Sequence, residues 1–195
     1  NKHKTNMRIL TTGGTGFIGS HTTVELQNAG FDVVIADNLS NSNEQVLDRI
    51  EKITGKRPAF IKADLSCPKE CKQVFDTYKD IEGVINFAAY KAVGESVEKP
   101  IMYYQNNLGI FLNLVENMKN NGVKYFVQSS SCTVYGEPDS LPIKETSPVK
   151  KATSPYGHTK QIVEEMLSFI TASTDIKAIA LRYFNPIGAH ESALI

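Results

Sequence analysis

Two side chains in the second half of the chain have the types and spacing for proton chemistry. Tyr156 and Lys160 stand four apart in Ser154-Pro155-Tyr156-Gly157-His158-Thr159-Lys160. On a helix, positions i and i+4 share a face, so phenol and ammonium point into one pocket. A free tyrosine titrates near ~10, too high for a base at neutral pH. A nearby positive charge favours the phenolate and pulls that value down. Reaching neutrality takes roughly 3 units, or about 4 kcal/mol. One lysine and a cationic cofactor together are of the right size to supply it. Alone, the pair is a weak signal, because Tyr-x-x-x-Lys arises often on solvated helices.

The elements around the pair decide its weight. Short apolar runs at 8–10, 33–36, 59–61, 84–87, 125–127 and 178–181 read as strands buried on both faces. Helical stretches at 17–28, 44–53, 69–78, 101–120 and 156–173 lie between them. Pro155 suits the start of the last helix, with Ser154 or Thr153 as its cap. Strands alternating with helices imply an α/β fold with a parallel sheet and right-handed crossovers. Residues 136–152, with three prolines and mixed charge, form the longest expected loop.

The first strand runs into Thr12-Gly13-Gly14-Thr15-Gly16-Phe17-Ile18-Gly19-Ser20. Glycines at 13, 16 and 19 allow a tight turn, close backbone approach to a pyrophosphate and close helix packing. The helix that follows offers free N–H groups to phosphates. Asp37 closes the second strand, 18 residues beyond Gly19, where a carboxylate can accept hydrogen bonds from an adenosine ribose. No Lys or Arg follows it until Arg49, so a 2′-phosphate would meet Asp37 unaided and NAD is preferred to NADP.

Composition narrows the field. The chain has 195 residues, 41% of them hydrophobic, with 21 basic and 21 acidic side chains and a formal charge of zero. That balance gives no electrostatic case for a nucleic-acid partner. No apolar run approaches a membrane span, and no signal-peptide segment is visible. Lys2-His3-Lys4, ahead of Met7, reads as a short N-terminal extension over residues 1–6. Cys67, Cys71 and Cys132 form no disulfide framework and fit a reducing cytoplasm. The Cys67-x-x-x-Cys71 spacing and the four scattered histidines make no metal site.

With these parts in place, the chain resembles the extended short-chain dehydrogenase/reductase family. Within it, the chain is similar to the branch that epimerises UDP-hexoses. The resemblance rests on the glycine loop, Asp37-Asn38-Leu39-Ser40-Asn41-Ser42, Lys91-Ala92-Val93-Gly94-Glu95-Ser96-Val97, the stretch from Ser129 to Gly136, the Tyr156/Lys160 motif and Arg182-Tyr183-Phe184-Asn185-Pro186-Ile187-Gly188-Ala189-His190. It implies a Rossmann-type doubly wound sheet over residues 7–182, with a substrate-binding part starting at 183–195 and cut short there. It implies interconversion of UDP-galactose and UDP-glucose by transient oxidation and re-reduction at sugar C4. NAD would contact Gly13, Gly16, Phe17, Ile18, Gly19, Asp37 and Asn38, with Asp64 and Leu65 flanking the adenine. Phe87, Ala88, Ala89 and Lys91 would line the cofactor after the fourth strand, and Asn106 would approach it from the long helix. Ser131, 25 residues ahead of Tyr156, would bind the sugar 4-hydroxyl while Tyr156 takes its proton. Lys160 would hold the nicotinamide ribose. Lys91 and Asn185 would reach the UDP-hexose, and Phe184 would touch the cofactor or pack in the core. A homodimer through helices 101–120 and 156–173 is the implied assembly.

Some residues depart from that pattern. His158 and Thr159 stand where lysine and serine are common, and neither belongs to the required pair. Asn86-Phe87-Ala88-Ala89-Tyr90 replaces a histidine-led, glycine-containing form, and Tyr90 adds bulk beside the cofactor wall. Cys132 reads as packing rather than as a nucleophile, since no histidine accompanies it. Thr133 is a weaker candidate for the hydroxyl role of Ser131. A nucleotide-sugar 4,6-dehydratase is a second reading, but relatives of that kind place Asp-Glu where this chain has Cys132-Thr133. A UDP-N-acetylglucosamine 4-epimerase and a non-catalytic NAD-binding sensor are the remaining alternatives.

Overall fold

Short apolar runs bounded by turns give strands, and longer amphipathic stretches give helices, in near-regular alternation. The computed structural model describes residues 7–195; the expected extension over residues 1–6 lies outside the described residues. In chain order the elements are β1 (Arg8–Thr12), α1 (Phe17–Asn28), β2 (Asp32–Asp37), α2 (Gln45–Thr54), β3 (Ala59–Lys62), α3 (Pro68–Thr77), β4 (Ile81–Asn86), α4 (Val93–Glu98), α5 (Pro100–Asn120), β5 (Tyr125–Ser131), a 3-10 turn (Cys132–Tyr135), α6 (Pro155–Ser173) and β6 (Lys177–Tyr183). All six strands pair in parallel. Their order is β3-β2-β1-β4-β5-β6, the doubly wound Rossmann arrangement.

Helices cover both faces. Val33 and Ile35 of β2 point to α1 and α2, packing with Val24, Leu47 and Ile50. Val34 and Ala36 point the other way, into a larger core with Phe75 of α3, Phe111 and Leu114 of α5, Phe126 of β5 and Val163 of α6. This is the two-residue alternation of a strand dividing one sheet between two cores. The order reverses between β1 and β4, so the loops leaving those two strands part and open a crevice at the carboxyl edge. No helix among the described residues is long and apolar enough to cross a membrane.

Two details differ from expectation. The residues 93–98 form a separate helix, α4, too short for its periodicity to show. Burial on both faces fails at β6, where Ile179 and Leu181 are 61% and 41% exposed. β6 is an edge strand, and α1 and α2 pack on the far half of the sheet.

Phe111 is fully buried, with its ring 6.0 Å from that of Phe126. Phe111→Ala is expected to cost about 3–5 kcal/mol, measurable as a lowered urea midpoint with an unchanged slope.

Candidate functional site

The loop after β1 is a cradle of backbone. Gly13 has φ +64°, a conformation that suits glycine. A Cβ on Gly13 would lie 2.9 Å from the Ala88 backbone N, and one on Gly19 would lie 2.4 Å from the Gly13 carbonyl oxygen. Side chains are thus excluded where the β1 and β4 loops meet and where α1 rises from the turn. Gly16 caps α1 without a side-chain hydrogen bond, so the first N–H groups of the helix lack a side-chain partner there. At the other wall, the buried Asp37 carboxylate accepts from the backbone N–H of Thr15 at 3.2 Å and of Leu39 at 2.9 Å. Asn38 accepts from Ser40 N–H at 3.0 Å. A side-chain-free cradle, a helix N-terminus and a carboxylate at the end of β2 fit a dinucleotide's pyrophosphate and ribose.

The other expected cofactor residues spread around this crevice. Phe17 is 46% exposed at the start of α1, and Ile18 is half-buried. Asp64 Oδ1 is engaged by its own turn, accepting from Ser66 N–H and Oγ, while Leu65 is buried in the core. Phe87, Ala88 and Ala89 are half-buried beyond β4, and Lys91 is exposed. Ala88 N–H donates to Thr12 Oγ1 at 3.3 Å, tying this wall to the cradle. Asn106 donates to Asn107 at 2.9 Å. Tyr90 turns its bulk onto the buried Tyr103, with ring centres 5.6 Å apart.

Ser131 ends β5 and Tyr156 lies in the first turn of α6, and two contacts bring them together. Ser154 caps α6, its Oγ accepting from Gly157 N–H at 3.1 Å. Gly157 lies so close to the turn after β5 that an added Cβ would sit 3.2 Å from Thr133 Cβ. The first turn of α6 is therefore pressed against the residues that follow Ser131. Ser131 Oγ also accepts from Thr133 N–H at 3.2 Å. The Thr133 hydroxyl is buried and has no hydrogen-bond partner among the described residues. His158 points away from this cluster, its Nδ1 2.8 Å from the Tyr104 hydroxyl.

The expected lowering of the phenol relies on a cationic cofactor as well as the lysine, and the lysine alone does not bring the phenol down. Burial pushes the Tyr156 phenol above its ordinary value; a hydrogen bond with Ser131 draws it down and the neighbouring Cys132 thiol raises it. The Lys160 ammonium lies 5.7 Å from the centre of the Tyr156 ring and donates to the Ser129 carbonyl at 2.8 Å. Burial pulls the lysine down to about 8, against the opposing effect of Glu164. Directed at a carbonyl, this one cation does not offset the desolvation of the phenol.

Several supporting residues escaped the sequence reading. Thr12, Asn86 and Gln128 stand at one level of β1, β4 and β5. Thr12 Oγ1 donates to Asn86 Oδ1 at 2.6 Å, and Asn86 Nδ2 donates to Gln128 Oε1 at 2.9 Å. Gln128 Nε2 then donates to the Ser129 carbonyl that Lys160 also holds. A buried polar ladder thus runs from the glycine loop to the lysine. Asn107 is a second brace. Its Oδ1 accepts from Tyr90 N–H at 2.8 Å, and its Nδ2 donates to the Tyr90 carbonyl at 3.0 Å and Thr159 Oγ1 at 3.3 Å. Polar residues interrupting apolar strand and helix faces were the available signal. Phe184 and Asn185 lie just beyond β6, whose last residue Tyr183 pairs in register with Ser131, and both are exposed.

Comparison with known proteins gives a consistent picture. The model of the NAD dependent epimerase/dehydratase family matches residues 9–194. A UDP-glucose 4-epimerase of Erwinia amylovora is 50% identical over 187 residues, covering 95% of this chain and 55% of its own length. That of Bacillus subtilis (strain 168) is 51% identical over 191 residues, covering 97% and 56%. Among solved structures, UDP-glucose 4-epimerase from Bifidobacterium longum in complex with NAD+ and UDP superposes with a TM-score of 0.93 at 46% identity, over 97% of this chain and 56% of that one. The chain spans about half the length of the curated relatives it matches.

Gly19→Ala tests the cradle. The added methyl must displace the Gly13 carbonyl or Gly14 Cα, which it would meet at 2.4 and 2.7 Å. A loss of about 1–3 kcal/mol is expected in thermal or urea unfolding, and an unchanged midpoint would show that the loop yields freely.

Proposed function

The chain belongs to the NAD-dependent epimerase/dehydratase family, and from that membership we propose that the whole protein interconverts UDP-galactose and UDP-glucose with NAD as resident cofactor. The observation that carries this reading is the convergence of Ser131, Tyr156 and Lys160 on the carboxyl edge of a sheet whose β1 loop fits a dinucleotide. NAD, when bound, supplies a hydride acceptor and donor for sugar C4 and brings a positive charge to the site.

The roles of the chain's own groups are those that family membership implies. Gly13, Gly16, Phe17, Ile18 and Gly19 hold the pyrophosphate by backbone, and Asp37 with Asn38 holds the adenosine ribose. Asp64 and Leu65 border the adenine, and Phe87, Ala88, Ala89, Lys91, Asn106 and Phe184 border the rest. Ser131 hydrogen-bonds the sugar 4-hydroxyl and Tyr156, lowering the phenol against the pull of burial. Tyr156 Oη takes the 4-hydroxyl proton and later returns it to the sugar oxygen. Lys160 binds the nicotinamide ribose and adds positive charge near the phenol. Lys91 and Asn185 reach the nucleotide sugar from the outer side. Residues 183–195 open the substrate-binding part, and 7–182 form the cofactor domain. Cys132 and Thr133 follow Ser131 where a dehydratase needs its added acid and base, so epimerisation is favoured over elimination.

The assembly fits this reading. Ile101 and Leu112 share one face of α5, three turns apart, and are 71% and 51% exposed; Phe169 of α6 is 76% exposed. We assign this outer α5/α6 surface to a homodimer interface. Free thiols at Cys67, Cys71 and Cys132 fit the cytoplasm.

UDP-galactose given to the whole protein without added reductant is expected to yield UDP-glucose. A 6-deoxy-4-keto product would select the dehydratase, and no turnover would favour the sensor. Tyr156→Phe is expected to retain NAD while turnover falls by about 10²–10⁴; near-normal turnover would remove Tyr156 from the mechanism. Asp37→Ala is expected to weaken NAD relative to NADP in binding titrations, and an unchanged ratio would show that the carboxylate does not meet the ribose.

A further inference from the structure

Lys160 is a buried cation whose protein acceptor is a neutral carbonyl, Ser129 O at 2.8 Å. A buried ammonium is costly unless an opposite charge stands near it. One helical turn further along the same face is Glu164. Its carboxylate is firmly held. Ser130 Oγ donates to Glu164 Oε1 at 2.5 Å, Arg182 Nε donates at 3.0 Å, and Arg182 Nη2 donates to Oε2 at 2.6 Å. Arg182 in turn lies over the Tyr135 ring, its guanidinium carbon 4.7 Å from the ring centre. Two successive turns of α6 thus dock on two successive residues of β5: Lys160 on Ser129, Glu164 on Ser130.

We propose that Glu164 is a positioning residue that keeps Lys160 charged and fixes its turn of α6 against β5. The proposal rests on the reading that Lys160 acts as a cation. Among the described residues, the Glu164 carboxylate is the charge that opposes the effect of burial on the Lys160 ammonium. Other titratable groups around the lysine do not replace it. Tyr156 shares the helix, and burial raises its phenol above the ordinary value. Cys132, in the turn against α6, is a free cysteine. From β6, Arg182 is committed to Glu164. From α4, Glu95 is engaged by Tyr103 and Lys99; from α5, Tyr104 is engaged by His158, and Asn107 is uncharged.

The test reads the lysine itself. In the purified protein, the ¹³Cε resonance of Lys160, assigned by its loss in Lys160→Arg, is titrated by NMR. Glu164→Gln keeps the shape and removes the charge, so the midpoint is expected to fall by about one unit. Ser130→Ala loses a hydrogen bond yet keeps the carboxylate, so its midpoint is expected to stay. Because Glu164→Gln strands Arg182, Glu164→Leu with Arg182→Leu serves as a second variant that leaves no unpaired charge; its midpoint is also expected to fall. A folded Glu164→Gln or double variant with the parental midpoint overturns the proposal and leaves Glu164 purely structural. In the whole protein, the alkaline limb of the turnover profile is expected to move to lower pH in parallel. A shifted midpoint in a protein without epimerase turnover would uphold the role of Glu164 and refute the functional reading instead.

Discussion

The loop leaving β1 and the loop leaving β4 touch at backbone distance, and the site depends on that contact. A single methyl on Gly13 would collide with the Ala88 N–H. The contact is possible because the strand order reverses between these neighbours, sending their connections to opposite faces. What remains at the carboxyl edge is a crevice floored by main chain, where ligand phosphates can approach N–H groups. The polar ladder Thr12–Asn86–Gln128 extends that floor under the sheet edge as far as the carbonyl gripped by Lys160. The cradle and the cluster around Lys160 therefore share one hydrogen-bonded support.

The charges in the site work against their own burial. A phenol raised by desolvation and an ammonium lowered by it form a pair in which both groups are pushed toward neutrality. Such a pair stays quiet in the protein alone. In the proposed function it becomes reactive when further positive charge and a hydroxylic ligand enter the pocket, coupling proton transfer to occupancy. The unpaired Thr133 hydroxyl beside the cluster fits a site finished by its ligand.

Much of this was legible because local signals and global fold agree. The glycine loop, Asp37 and the Tyr156/Lys160 spacing sit where sequence placed them, and Ser154 caps α6 as its position before Pro155 implied. The α4 helix was hidden because six residues hold too little periodicity. Asn107, Gln128 and Glu164 were hidden for another reason. Asn107 works through Tyr90 and Thr159, 17 and 52 residues away, and Glu164 through Ser130 and Arg182. No local pattern announces a polar residue whose partners arrive from other strands. That burial raises the Tyr156 phenol in the protein alone was not legible, because spacing shows that a lysine is near but not which atom its ammonium faces.

β6 carries a consequence of a different kind. It is the last strand of the sheet, with Ile179 and Leu181 open to solvent on one face. An edge strand with free ladder groups and an apolar face is a template for another strand. The outer side of β6 is therefore the place on this sheet where a further strand, from this protein or a partner, could be added.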